Sequence, residues 1–168
     1  MEADMADKYF TADYLRSILE YDQITGSFTW LALTSRRVKV GDVAGWKTSI
    51  GYIRINVLGR AYQAHCIAWL HFYGAWPTAD IDHIDGNPSN NAIANLRDVS
   101  HSVNLQNQQR AQRCNNSGFL GVSRRGSCWR AQITADGKKR HIGTFNTPEL
   151  AHAAYLEAKR KLHAGCTI

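Results

Sequence analysis

The sequence holds little that would commit it early to a scaffold. Its four cysteines, Cys66, Cys114, Cys128 and Cys166, form no C-x-x-C pair and no regular framework. That excludes a zinc knuckle or a disulfide scaffold and predicts free thiols in a reducing compartment. No apolar window is long enough to span a bilayer, and the acidic stretch from Met1 to Phe10 lacks the apolar core of a secretion signal. An intracellular, cytoplasmic protein without a membrane partner is expected. There is no heptad run and nothing else that argues for a dimer, so a monomer is expected too. Acidic residues are scarce in one region only. Residues 110–168 carry 3 Asp+Glu against 11 Lys+Arg, net +8, whereas residues 1–109 carry 11 against 9, net −2. A split of that size suggests a polyanion-binding module attached to a part with another job, because clustered cations release phosphate counterions on binding nucleic acid. A merely solubilising basic face is the alternative.

What is present is a normal globular composition, 44% apolar in 168 residues, enough for one ordinary domain or two small ones. Leu15, Ile18 and Leu19 follow a helical spacing, Tyr21 to Gly26 reads as a turn, and Ser27 to Leu31 as a short strand. Arg36 to Gly51 is polar, basic and glycine-punctuated, which predicts an exposed loop or short hairpin. Tyr52 to Val57 alternates with period two, Leu58-Gly59-Arg60 turns, and Ala61 to Ala64 returns as a second strand. His65 to Tyr73 is an apolar helix closed by Gly74. Trp69, Leu70, Phe72, Trp76, Ile93, Leu96 and Val103 are expected in the core.

Between Ile81 and Gln109 lies a cluster of Asp, His and Asn: Asp82-His83-Ile84-Asp85-Gly86-Asn87, Asn90-Asn91, Asn95-Leu96-Arg97, Asn104 and Asn107. Turn chemistry explains part of it, and Gly86-Asn87-Pro88 needs to be no more than a tight turn. It does not explain a carboxylate beside an imidazole followed by amides that return through a hairpin and a helix, which Ser100 could cap. Phosphodiester hydrolysis requires a base, a divalent cation and a group that fixes the tautomer of the base. His83 suits the base, Asp82 an oxygen ligand, and a strand amide such as Asn95 the orienting partner. A carboxylate-plus-amide site suits Mg²⁺, with Mn²⁺ as the alternative ion.

The cluster resembles the ββα-metal motif of HNH endonucleases, in the variant whose last motif residue is Asn. His65-Cys66-Ile67-Ala68-Trp69-Leu70, Gly74-Ala75-Trp76-Pro77, Ile81 to Asn87, Asn90-Asn91 and Ile93 to Arg97 are together similar to phage-borne HNH homing endonucleases. The resemblance implies His83 as general base, Asn95 as the residue that steadies its imidazole, and Asp82 and Asn104 as metal ligands. Asn107, one turn after Asn104, rivals it for the second ligand. Cys66 stands where an Arg is expected in that family. His65 and His101 are candidate DNA or site contacts, though a structural role for the first and an exposed bystander for the second are the simpler readings.

In the basic third, Gly121 to Arg124, Trp129 to Ala135 and Lys138 to Thr144 read as strands, with a turn at Asp136-Gly137. Thr147 and Pro148 open a helix whose Leu150, Ala151, Ala154, Tyr155, Ala158 and Leu162 line one face. Arg130 and Gln132 point away from Trp129, Ala131 and Ile133, so one sheet face carries charge and the other packs on the helix. Ser117 to Val122, Trp129 to Ile133, Ile142 to Phe145 and Pro148 to Tyr155 resemble an AP2-type DNA-binding domain. That resemblance implies DNA-facing roles for Arg125, Arg130 and Gln132 with Arg124 and Arg140 as neighbours. Lys138 stands in the same basic set.

The expected fold class is therefore α+β: an N-terminal α/β segment (1–50), an HNH nuclease domain (51–109), a linker (110–118), and a three-stranded antiparallel sheet on one helix (119–168). The expected function is a metal-dependent, nicking endonuclease acting on double-stranded DNA. The alternatives are a non-catalytic DNA-binding regulator and a protein acting on RNA.

Overall fold

The computed structural model describes residues 10–108, 111, 115–135, 137–163 and 165–167. Expectations at Met1 to Tyr9, Cys114, Asp136 and much of the 110–118 segment lie outside the described residues. The chain forms two compact units, Met1–Val99 and Ser100–Ile168.

In the first unit, Thr11 accepts the Tyr14 N–H at 3.2 Å and so caps α1 (Ala12–Ile18), which buries Leu15 and Ile18. β1 (Leu19–Tyr21) pairs antiparallel with β2 (Phe28–Trp30). Part of the expected loop is a third strand, β3 (Trp46–Lys47), on the edge of a sheet with β4 (Ile53–Val57) and β5 (Arg60–Gln63). Leu58 (φ 51°) and Gly59 (φ 79°) make the two-residue turn between β4 and β5, where φ must be positive at both positions. α2 (Ala64–Tyr73) ends at Gly74, whose N–H bonds the Leu70 carbonyl in a left-handed cap. Ile55, Val57, Ile67, Ala68 and Leu70 join Leu15, Leu19 and Phe28 in one core. Trp69, Trp76 and Ile93 pack on its rim, and Leu96 is inside it. Phe72 was expected there too but is exposed, because α2 is apolar nearly all round and only one side of it meets the sheets. β6 (Asp80–His83) then pairs antiparallel with β7 (Leu96–Val99).

In the second unit, α3 (His101–Gln106) begins after Ser100, but no side-chain cap bond forms, and the Ser100 hydroxyl meets that of Ser102 instead. Val103 is half-buried. β8 (Val122–Arg125), β9 (Cys128–Ala135) and β10 (Lys138–Phe145) make a three-stranded antiparallel sheet with β9 in the centre. α4 (Pro148–Leu162), capped by Thr147, packs on it through Ala151 and Tyr155. Leu150 and Leu162, expected on that buried face, are exposed at its edges. Lys159 is buried in their stead, 1% exposed, with Nζ donating to the Gln108 carbonyl.

Candidate active site

The β6–β7 hairpin sets the site. Its register places Asp82 opposite Arg97 and His83 opposite Leu96. Asp98 anchors the hairpin's start, its carboxylate accepting from the Thr78 and Ala79 backbone and the Thr78 hydroxyl. Asp82 and His83 are both buried, 6% and 5% exposed. The Arg97 guanidinium holds one oxygen of Asp82 through Nε at 2.8 Å and Nη2 at 2.7 Å.

The His83 ring is fixed by Asn91, whose Oδ1 accepts from Nε2 at 3.2 Å. An amide oxygen only accepts, so Nε2 carries the proton and the lone pair of the neutral ring resides on Nδ1. Burial holds the His83 pKa below the ordinary histidine value, while the Asn91 bond and the carboxylates of Asp85 and Asp82 pull the other way and lose. Asn91 is itself buried, and its carbonyl accepts the Tyr21 hydroxyl at 2.7 Å.

Asn95, expected to steady the imidazole, acts on the loop after it. Its Oδ1 accepts from the Asp85 N–H, and its Nδ2 donates to the Asp85 carboxylate and the Asn90 carbonyl, at 3.0, 3.0 and 2.8 Å. The reason is reach: Asn95 ends the short 3-10 turn Ile93–Asn95, directly under the turn that carries Asp85. Burial alone would raise the Asp85 pKa, but hydrogen bonds from Asn87, Asn90 and Asn95 outweigh it and the pKa is lowered. Asp85 is thereby a structural anchor. Sequence reading missed Asn91 and Arg97. The signals were the Asn90-Asn91 doublet and the opposite charges at strand positions that a hairpin of this length must pair.

His65 meets the site as well. Its ring stands edge-to-face on His83, 5.1 Å between centroids, and Tyr52 closes a three-ring cluster at 5.6 Å from His65 and 6.0 Å from His83. Among the described residues no group of three or more His, Cys, Asp or Glu is arranged to hold a metal. Asn104 and Asn107 lie on and just after α3, in the second unit. Asn104 is half-buried, while Asn107 is buried with its Oδ1 accepting from the Thr167 hydroxyl. His101 is exposed.

In the basic sheet, directly paired residues share a face. Arg125 pairs with Cys128, Arg130 with Ser123 and Thr144, Gln132 with His141, and Lys139 with Thr134. Arg125, Arg130, Gln132 and Lys139 therefore line the face turned away from Ala131 and Ile133. Arg124 pairs with Trp129 and lies over its ring at 5.9 Å, while Lys138 and Arg140 pair with Ala135 and Ile133. These three lie on the other face of the sheet, and all are exposed.

The buried Asp82-His83 pair thus stands at the end of β6 in the β6–β7 hairpin, and α3 follows along the chain. The HNH endonuclease family matches residues 62–106, which span β5 to α3. The chain is 34% identical to Protein 3.8 of Escherichia phage T7 over 107 residues, covering 62% of this chain and 87% of that protein. It is 35% identical to DNA endonuclease I-HmuI of Bacillus phage SP01 over 79 residues, 44% of this chain and 42% of that enzyme. No solved structure matches. The chain belongs to the HNH endonuclease family. Among the described residues, no helix is long and apolar enough to cross a membrane.

Proposed function

We propose that this protein is a divalent-metal-dependent endonuclease of the homing type that hydrolyses double-stranded DNA one strand at a time. The observation that carries the reading is the buried Asp82-His83 pair with the Nε2 proton of His83 committed to Asn91. That bond leaves Nδ1 to take the proton of an attacking water, and the low pKa keeps the ring in its basic form. Asn95 acts through the loop, keeping Asp85 and the turn after His83 in place. Asp82 would hold the ion, and Mg²⁺ suits a carboxylate joined by an amide, a donor set that leaves positions for phosphate and water. Bound there, the ion would supply positive charge for the phosphate and the departing 3′-oxygen.

In this reading residues 51–109 carry the chemistry and residues 119–168, with residues 110–118 as the connection, form an AP2-like reader of DNA. A basic sheet face fits the major groove, so Arg125, Arg130 and Gln132 meet base edges, while Arg124, Lys138 and Arg140, on the opposite face, stay outside that groove. The chain holds one Asp82/His83 set, so one molecule acting as a monomer cuts one strand. The test is supercoiled plasmid with Mg²⁺, with and without chelator. The expected result is chelator-sensitive accumulation of open circles. Binding without cutting would show a regulator, and linear DNA with no nicked precursor would overturn strand-by-strand cleavage.

A further inference from the structure

His65 has no part in the mechanism above, yet it is built into the site. It begins the first turn of α2 between Ala64 and Ile67, both essentially inaccessible, and its ring is 8% exposed. Nδ1 is enclosed and has no hydrogen-bond partner, and the side chain makes no hydrogen bond to any described residue. What the ring touches is the base itself, His83, at 5.1 Å and 86°, with Tyr52 behind both. A buried polar nitrogen left unpaired lowers stability, and an apolar ring of the same shape would avoid that cost. The cost falls at a buried polar side chain in edge contact with the general base.

We propose that His65 is a second catalytic imidazole of the centre, a neutral donor whose Nε2–H, on the ring nitrogen that is not enclosed, bonds a non-bridging oxygen of the scissile phosphate beside His83. The inference rests on the nuclease reading. A neutral donor is what the surroundings enforce: burial first, and the neighbouring His83 second, hold the His65 pKa down to about 3. The ring therefore brings a hydrogen bond to the phosphate as a neutral group.

The variant that separates function from packing is His65→Phe, which keeps the ring and removes both nitrogens. Cleavage of plasmid under single-turnover conditions, DNA affinity and melting temperature are measured for the wild type, His65→Phe and His65→Gln. The expected result is that His65→Phe melts at or above the wild-type temperature and binds DNA equally, but cuts at least tenfold more slowly. His65→Gln, which returns a neutral donor, should recover part of that rate. His65→Phe cutting at the wild-type rate would overturn the proposal and make His65 a packing residue. Should His65→Phe not fold, a His65→Leu variant that folds and cuts at the wild-type rate would overturn it as well. If the wild type itself does not cut, the nuclease reading has failed, not merely this inference.

Discussion

A Cβ placed on Gly26 would lie 2.2 Å from the carbonyl carbon of Asn91. The β1–β2 turn thus presses its backbone against the segment that holds the His83 ring, and two further bonds fasten it there: Ile93 N–H to the Gln23 carbonyl at 3.1 Å, and the Tyr21 hydroxyl to Asn91. Gly26 also sits at φ +73°, where an L side chain is strained. Gly26→Ala is therefore expected to cost about 2–3 kcal/mol in stability and to slow cleavage by displacing Asn91. Urea midpoints and single-turnover rates check this. An unchanged midpoint would mean that the contact is not made.

Arg97 and Asp82 form the second lever. Arg97→Ala leaves an enclosed carboxylate without its cation, at a cost of about 1.5–3 kcal/mol. Arg97→Lys should recover only part of it, since one ammonium does not reproduce the Nε and Nη2 contacts. Equal midpoints for the wild type and Arg97→Ala would contradict the pairing.

Much of this was legible in the sequence, and the rest was hidden for physical reasons. The Asp82-His83 pair, the Leu58-Gly59 turn, the Thr147-Pro148 helix start and the alternating Arg130/Ile133 faces are local signals, and the structure has a hairpin, a helix and a sheet where they stand. The Asn90-Asn91 doublet stood out, but which residue meets the imidazole depends on a loop path set by Gly26 and Tyr21, some seventy residues earlier. Lys159 reads as one more basic charge, but its burial follows from the Gln108 carbonyl it meets across the second unit. Phe72 and Leu150 were misplaced because periodicity does not reveal how wide a covering sheet is.

The histidines predict a pH dependence of stability. Burial lowers the pKa values of His65, His71 and His83 from the ordinary 6.5. Below that value the unfolded chain binds more protons than the folded one, so stability is full above about pH 6.5 and declines as pH falls toward the folded values. Each such group adds a slope of about 1.4 kcal/mol per pH unit within its window. For His65 the window extends down to about 3. Melting temperatures from pH 7.5 to 4.5 should fall, and His65→Phe should show a shallower decline by one proton. Identical slopes would mean that His65 is not held neutral.

The basic sheet is tested by salt. Arg125→Ala and Arg130→Ala should weaken DNA binding, and each phosphate that an Arg no longer neutralises should reduce the log–log salt slope by about 0.9. An Arg that reads a base edge should instead relax sequence preference with little change in slope. If the double variant bound with wild-type affinity, slope and preference, the sheet would not be the reader.

The most direct measurement is the rate of plasmid nicking by His83→Ala beside the wild type, in Mg²⁺, at equal fractional saturation of the DNA. With Nε2 of His83 tied to Asn91 and Nδ1 acting as the base, the variant should bind DNA as the wild type does and lose at least about a hundredfold in rate. Nicking by His83→Ala at the wild-type rate would contradict the account.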